Sequence, residues 1–173
     1  MTRIVRLIEA LVGGMGRITA LIIIPLILAT AYEVFSRYLF GAPTIWAYEL
    51  GYILTGSHFL LGASLALLAG AHIRIDLLYS RFSPRGKAAV DLVCYVTLFF
   101  PFIVLLSNSL WDYALRSFLS GELSGQSAWS PPIWPFRMVL TLGFVLLALQ
   151  VFAEILKCVA VLIGRPIPSS ERG

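Results

Sequence analysis

Charged residues are sparse along this chain, and four stretches between them contain no Asp, Glu, Lys or Arg: Ile18 to Tyr32, Leu50 to Ala71, Leu92 to Trp111 and Met138 to Ala153. The second holds 22 residues and the third 20, and a helix needs ~20 predominantly apolar residues to cross a bilayer core. With helix-compatible flanks the four runs predict membrane spans over about residues 15–38, 46–71, 88–115 and 137–163. Breakers separate them. Gly41-Ala42-Pro43-Thr44 is a turn by residue type, and its shortness makes the first two spans an antiparallel hairpin. A polar connection over 71–87 ends in Ser83-Pro84-Arg85-Gly86, with Pro84 suited to the first turn of the third helix. Residues 117–136 form a loop whose Trp129-Ser130-Pro131-Pro132-Ile133-Trp134-Pro135 run suits a rigid segment in the membrane interface. The expected architecture is an all-α integral membrane protein, a single four-helix domain over 1–163 with a short cytoplasmic tail over 164–173.

Polar and small residues mark the ends and one face of these spans. Glu33 and Arg37, and again Asp112 and Arg116, stand at i,i+4 spacing, where acid and base can neutralise each other near the boundary. Trp46 and Tyr48 belong at headgroup level, with Glu49 beside them. Gly62, Ala66 and Gly70 recur every four residues and line one helix face, which would let another helix approach closely, in this chain or in a partner. Pro25 should free a backbone carbonyl and kink the first span, and Pro101 falls near the middle of the third. His58, mid-span, reads as a neutral, hydrogen-bonded histidine in a packed interface rather than a haem ligand or proton carrier. Ala29-Thr30-Ala31 has the small residues of a signal-peptide cleavage site, but the basic region before it is long and the helical pattern runs on.

Composition narrows the class. The chain is 59% hydrophobic and 13% charged, with a mean hydropathy of +0.89; soluble domains carry about 25% charged residues. Half that density cannot coat a soluble globule, so the bilayer is the expected surrounding. The net charge of +4 does not imply nucleic acid, because the basic residues form no stripe or cluster between the apolar runs. They act as topology determinants instead. With the N-terminus cytoplasmic, Arg3, Arg6, Arg74, Arg81, Arg85, Lys87, Lys157, Arg165 and Arg172 lie inside, and Arg37, Arg116 and Arg137 outside. Nine against three is a positive-inside bias, predicting both termini inside. Cys94 and Cys158 read as small apolar fillers. Phosphate-binding glycine loops, zinc-spaced His/Cys sets and nucleophile elbows are absent. No enzyme, cofactor or metal site is therefore expected. Four spans without an internal repeat favour an accessory membrane subunit over the conducting element.

Arg37-Tyr38, the Trp46-x-x-Glu49 pair after the short turn, the small residues of the next helix and His72-x-Arg74-x-Asp76 together resemble the small membrane subunit of tripartite ATP-independent periplasmic (TRAP) transporters, the DctQ type, over most of residues 15–163. The resemblance implies a small permease subunit in a bacterial cytoplasmic (inner) membrane, with a large TRAP membrane subunit and a periplasmic solute-binding protein as partners. The transport implied is ion-gradient-driven uptake of a carboxylate-type solute. Arg37, Trp46, Glu49, His72, Arg74 and Asp76 carry over as structural, orienting or subunit-contact positions. One departure is that Glu49 stands alone where many members carry two adjacent acids. Two competing classes are a haem-bearing membrane anchor of a redox complex, for which only His58 and His72 exist and on one helix, and an autonomous channel assembled through the Gly62/Ala66/Gly70 face.

Overall fold

The computed structural model describes residues 1–70, 82–165 and 167. Among the described residues six α-helices follow one another: α1 (Thr2–Leu21), α2 (Ile23–Phe40), α3 (Ala47–Leu68), α4 (Pro84–Cys94), α5 (Phe100–Ser120) and α6 (Trp134–Leu162), with a π-helical turn at Tyr95–Phe99 joining α4 to α5. They make four stretches long and apolar enough to cross a membrane: Thr2–Phe40, Ala47–Leu68, Pro84–Ser120 and Trp134–Leu162. His72, Arg74, Asp76 and Arg81 fall outside the described residues.

The helices alternate in direction, and side-chain bonds fix which ends meet. Glu9 near the start of α1 reaches Lys157 near the end of α6, while Glu49 at the start of α3 reaches Ser124 in the α5–α6 loop. The start of α1 and the end of α6 therefore share one end of the bundle, and the α2–α3 turn and α5–α6 loop share the other. α6 packs against α1, α3, α4 and α5, and α2 leans on α3.

The distribution of side chains is that of a protein dissolved in lipid. Leu28, Phe59, Leu98 and Leu105 point outward and are exposed, whereas Glu9, Glu49, Ser64, Ser117 and Gln150 are buried. Apolar burial cannot drive helix association when lipid is equally apolar, so close packing must contribute instead. Two clusters supply it: Val5, Ile8 and Val12 of α1 with Leu68 and Ala153, and Leu67, Ile103, Leu147 and Val151 across α3, α5 and α6. Glycines permit the closest approaches. A Cβ at Gly143 would lie 2.7 Å from Leu60 Cγ, and one at Gly16 2.6 Å from Leu65 Cδ2.

The two mid-span prolines, Pro25 and Pro101, sit at local rearrangements with identifiable causes. Pro25 has no N–H for the carbonyl of Leu21 and crowds it, and the regular bonding breaks just there: Ile22 N–H turns back to Thr19 O at 3.1 Å, the tighter i→i+3 pattern. Ahead of Pro101 the chain widens instead. Phe100 N–H reaches Tyr95 O, five residues back, which makes room for the proline ring. Gly121 takes φ +64° after α5, and Glu122 N–H closes on Ser117 O at 3.2 Å, a Schellman ending that a residue with a side chain would strain.

Several boundaries differ from the sequence expectation. The first helix starts at Thr2, not near residue 15, because Val5, Ile8 and Val12 form a buried stripe and Gly13 and Gly16 are packing positions within the helix. α3 ends at Leu68. Gly70 follows it with φ +67°, so it terminates the helix and does not extend the Gly62/Ala66 face. The third helical stretch runs to Ser120, five residues past the expected boundary of 115.

Candidate functional site

At the turn end of the bundle, three carboxylates hold the connections in place. Glu33 of α2 accepts from Arg37 Nε at 2.9 Å, from Thr44 N–H at 2.9 Å and from the Thr44 hydroxyl. It thus binds the α2–α3 turn back onto its own helix, and Tyr32 stacks on Trp46 with ring centroids 5.8 Å apart beside it. Glu49, whose residue is fully buried, accepts from Ser124 Oγ and ties α3 to the loop over 121–133. That loop closes on itself through Ser124 N–H to Pro131 O at 2.9 Å and Ile133 N–H to Glu122 O at 3.1 Å, so the Trp/Pro-rich segment is a folded cap.

The third carboxylate, Glu122, meets Arg137 in a two-pronged pair, Nη2 to Oε1 at 2.7 Å and Nη1 to Oε2. Arg137 Nη2 also donates to the Tyr113 hydroxyl at 2.6 Å, and its guanidinium carbon lies 3.6 Å from the Tyr113 ring centroid. Arg137 is 7% exposed. The fork geometry of a guanidinium suits such a bidentate contact. Its hydrogen bonds hold the Glu122 carboxyl below the ordinary carboxylate value. Glu122, Tyr113 and Ser124 carried no sequence signal, since their partners lie 15 to 75 residues away.

The expected Asp112–Arg116 ion pair is not formed. Arg116 Nε donates to the Asp112 backbone carbonyl at 3.2 Å instead, and both residues are exposed. The short aspartate side chain leaves the guanidinium in reach of the helix carbonyl rather than the carboxylate.

At the opposite end, Lys157 Nζ lies 3.1 Å from Glu9 Oε1 and also contacts Glu154 Oε1, to which Gln150 Nε2 donates at 2.9 Å. Glu154 and Lys157 were visible in the sequence as a one-turn pair; Glu9 was not. Between the two ends, His58 Nδ1 meets the Thr19 carbonyl at 3.0 Å. A carbonyl only accepts, so Nδ1 carries the proton, and the histidine bridges α3 to the break at Ile22. Among the described residues no three His, Cys, Asp or Glu side chains gather into a metal-binding group.

One face has no partner among the described residues. Gly62 and Ala66 are only partly buried, a Cβ at Gly62 would meet no atom within 4 Å, and Phe59, one turn away on the same side, is 79% exposed. α2 presents a second such surface, a shallow groove of about 460 Å³ along Leu26, Ile27, Thr30, Ala31, Val34 and Phe35.

Four apolar helical stretches, outward-facing apolar side chains and buried polar groups such as Glu9, Glu49 and Gln150 define a multi-pass helical membrane protein. The family model for the tripartite ATP-independent periplasmic transporters, DctQ component, matches residues 26–161, and the chain belongs to that family. It is thereby a small membrane component of a TRAP transporter, an inner-membrane protein of a transporter family rather than an enzyme family, whose members operate with a large membrane subunit and a binding protein. No curated protein matches the chain.

Proposed function

We propose that this chain braces the large membrane subunit of a TRAP transporter during ion-gradient-driven uptake of a carboxylate-type solute, which a periplasmic binding protein delivers. The observation that carries the bracing role is the Phe59/Gly62/Ala66 face: it is fit for close helix packing, yet no helix among the described residues covers it. The carboxylate anchors at both ends make the bundle a stiff support for that face. Glu33 and Glu49 fix the turn end, and Lys157 fixes the other. The distribution of basic residues favours both termini in the cytoplasm, which turns the cap over 121–133 toward the periplasm, where the binding protein docks. The helical domain over 1–163 then acts as one unit with a cytoplasmic tail over 164–173. Arg37 and Trp46 shape the outer turn, with His72, Arg74 and Asp76 as further contact positions.

Proteoliposomes test this role. Vesicles holding the large subunit and this chain, with the binding protein and a labelled carboxylate outside, should accumulate label under a sodium or proton gradient. Omitting this chain should abolish uptake. Uptake by this chain alone, or undiminished uptake without it, would overturn the reading.

A further inference from the structure

α1 precedes the matched residues 26–161, and its sides differ in character. One packs inward through Val5, Ile8, Glu9, Val12, Gly16 and Thr19. At 100° per residue the remaining surface divides in two. Ile4, Leu7, Leu11 and Ile18 form an exposed apolar strip, and Arg3, Arg6 and Arg17, all exposed, form a second strip alongside. The eleven residues from Arg6 to Arg17 make three turns and about 20°, so the two guanidinium groups share a side. Between them Ala10 is small, and a Cβ at Gly14 would meet nothing within 4 Å.

Depth follows from the neighbours. Val5, Ile8 and Val12 cluster with Leu68 at the end of α3, whereas Gly16 packs on Leu65 and Thr19 meets His58 near the middle of that helix. Arg17 thus lies within the span, and Arg3 and Arg6 at its mouth. Helical side chains lean toward the helix N-terminus, which carries the Arg17 guanidinium over Gly13 and Gly14 toward Arg6 and the headgroups. No hydrogen bond or ion pair joins Arg17 to another described residue. A guanidinium facing hydrocarbon without an anion is costly, and a phosphate matches its fork.

We propose that Arg3, Arg6 and Arg17 form a site for an anionic phospholipid in the leaflet that faces the start of α1. The phosphate rests on the guanidinium strip, and an acyl chain runs along Leu11, Ile18 and Leu21, which is 62% exposed, toward the bilayer centre. Native mass spectrometry of the full chain, equilibrated with equal phosphatidylglycerol and phosphatidylcholine, tests the site. Phosphatidylglycerol should be retained preferentially, each Arg→Gln change should lower retention about fivefold, and Arg17→Lys should keep most of it. Equal retention of the two lipids, or an Arg17→Gln protein indistinguishable from the parent, would overturn the proposal. So would an Arg17→Glu protein that loses a co-purifying membrane protein while holding its phosphatidylglycerol, because the strip would then bind protein.

Discussion

Lys157 shows how much a single residue carries inside this bundle. Its ammonium faces two carboxylates, Glu9 with a fully buried side chain and Glu154. Replacing it with methionine removes that compensation, and breaking such a buried pair costs about 3 kcal/mol, the low end of the usual range because Lys157 and Glu154 are not fully enclosed. Thermal unfolding in detergent should show Lys157→Met strongly destabilised and Glu9→Gln in that background recovering much of the loss; an unchanged Lys157→Met protein would contradict the assignment. Glu122 gives a pH signature. Its folded-state value is depressed below 4.5, chiefly by the hydrogen bond from Arg137, so its stabilising contribution is complete above that value and is lost as pH falls through the folded-state value. The stability difference between parent and Glu122→Gln should therefore shrink on acidification below pH 4.5, and a pH-independent difference would contradict the pairing. Glu33–Arg37 and Glu154–Lys157 were legible in the sequence because helix geometry alone brings residues three or four apart together. Glu9, Glu49 and Glu122 were not legible as partners, because tertiary folding supplies their neighbours.

At the scale of helices, small residues divide into two kinds that sequence spacing cannot separate. Gly143 is pressed against α3: an added Cβ would lie 2.7 Å from Leu60 Cγ and 3.3 Å from its backbone carbonyl carbon. Gly143→Ala should lower stability by about 1–3 kcal/mol through overpacking. Gly62 meets nothing within 4 Å, so Gly62→Leu should leave the unfolding temperature of the isolated chain unchanged and reduce its capture of the large subunit. Thermal melts and pull-downs on both variants would check the division, and a destabilised Gly62→Leu chain would show that the face is occupied internally. The apolar runs and the Gly41-to-Thr44 and Ser83-Pro84 breakers announced the helices and their turns. The part of α1 before residue 15 was hidden, because its glycines and arginines resemble a flank until Val5, Ile8 and Val12 are seen to pack. Gly70 was misplaced on a helix face for a related reason: a period of four cannot show that its third member ends the helix with a positive φ.

As a whole, the described residues form a bundle tied at both ends, with the Glu9 and Glu49 carboxylates buried and large apolar side chains facing outward. The spans, the turns and the family were legible from apolar run lengths and the Trp46-x-x-Glu49 neighbourhood, because lipid imposes a strict length and polarity on every crossing segment. The folded cap over 121–133 was legible only as a rigid loop, since its bonds to Glu49 and Arg137 depend on the assembled bundle. An open packing face on a stiff support predicts assembly with a larger membrane partner. The most direct test is to co-express the tagged chain with a large TRAP membrane subunit from the same genome and to measure their stoichiometry after purification in mild detergent. The account predicts a one-to-one complex that Gly62→Leu weakens. A stable oligomer of this chain alone, with the large subunit left untagged in the flow-through, would contradict it.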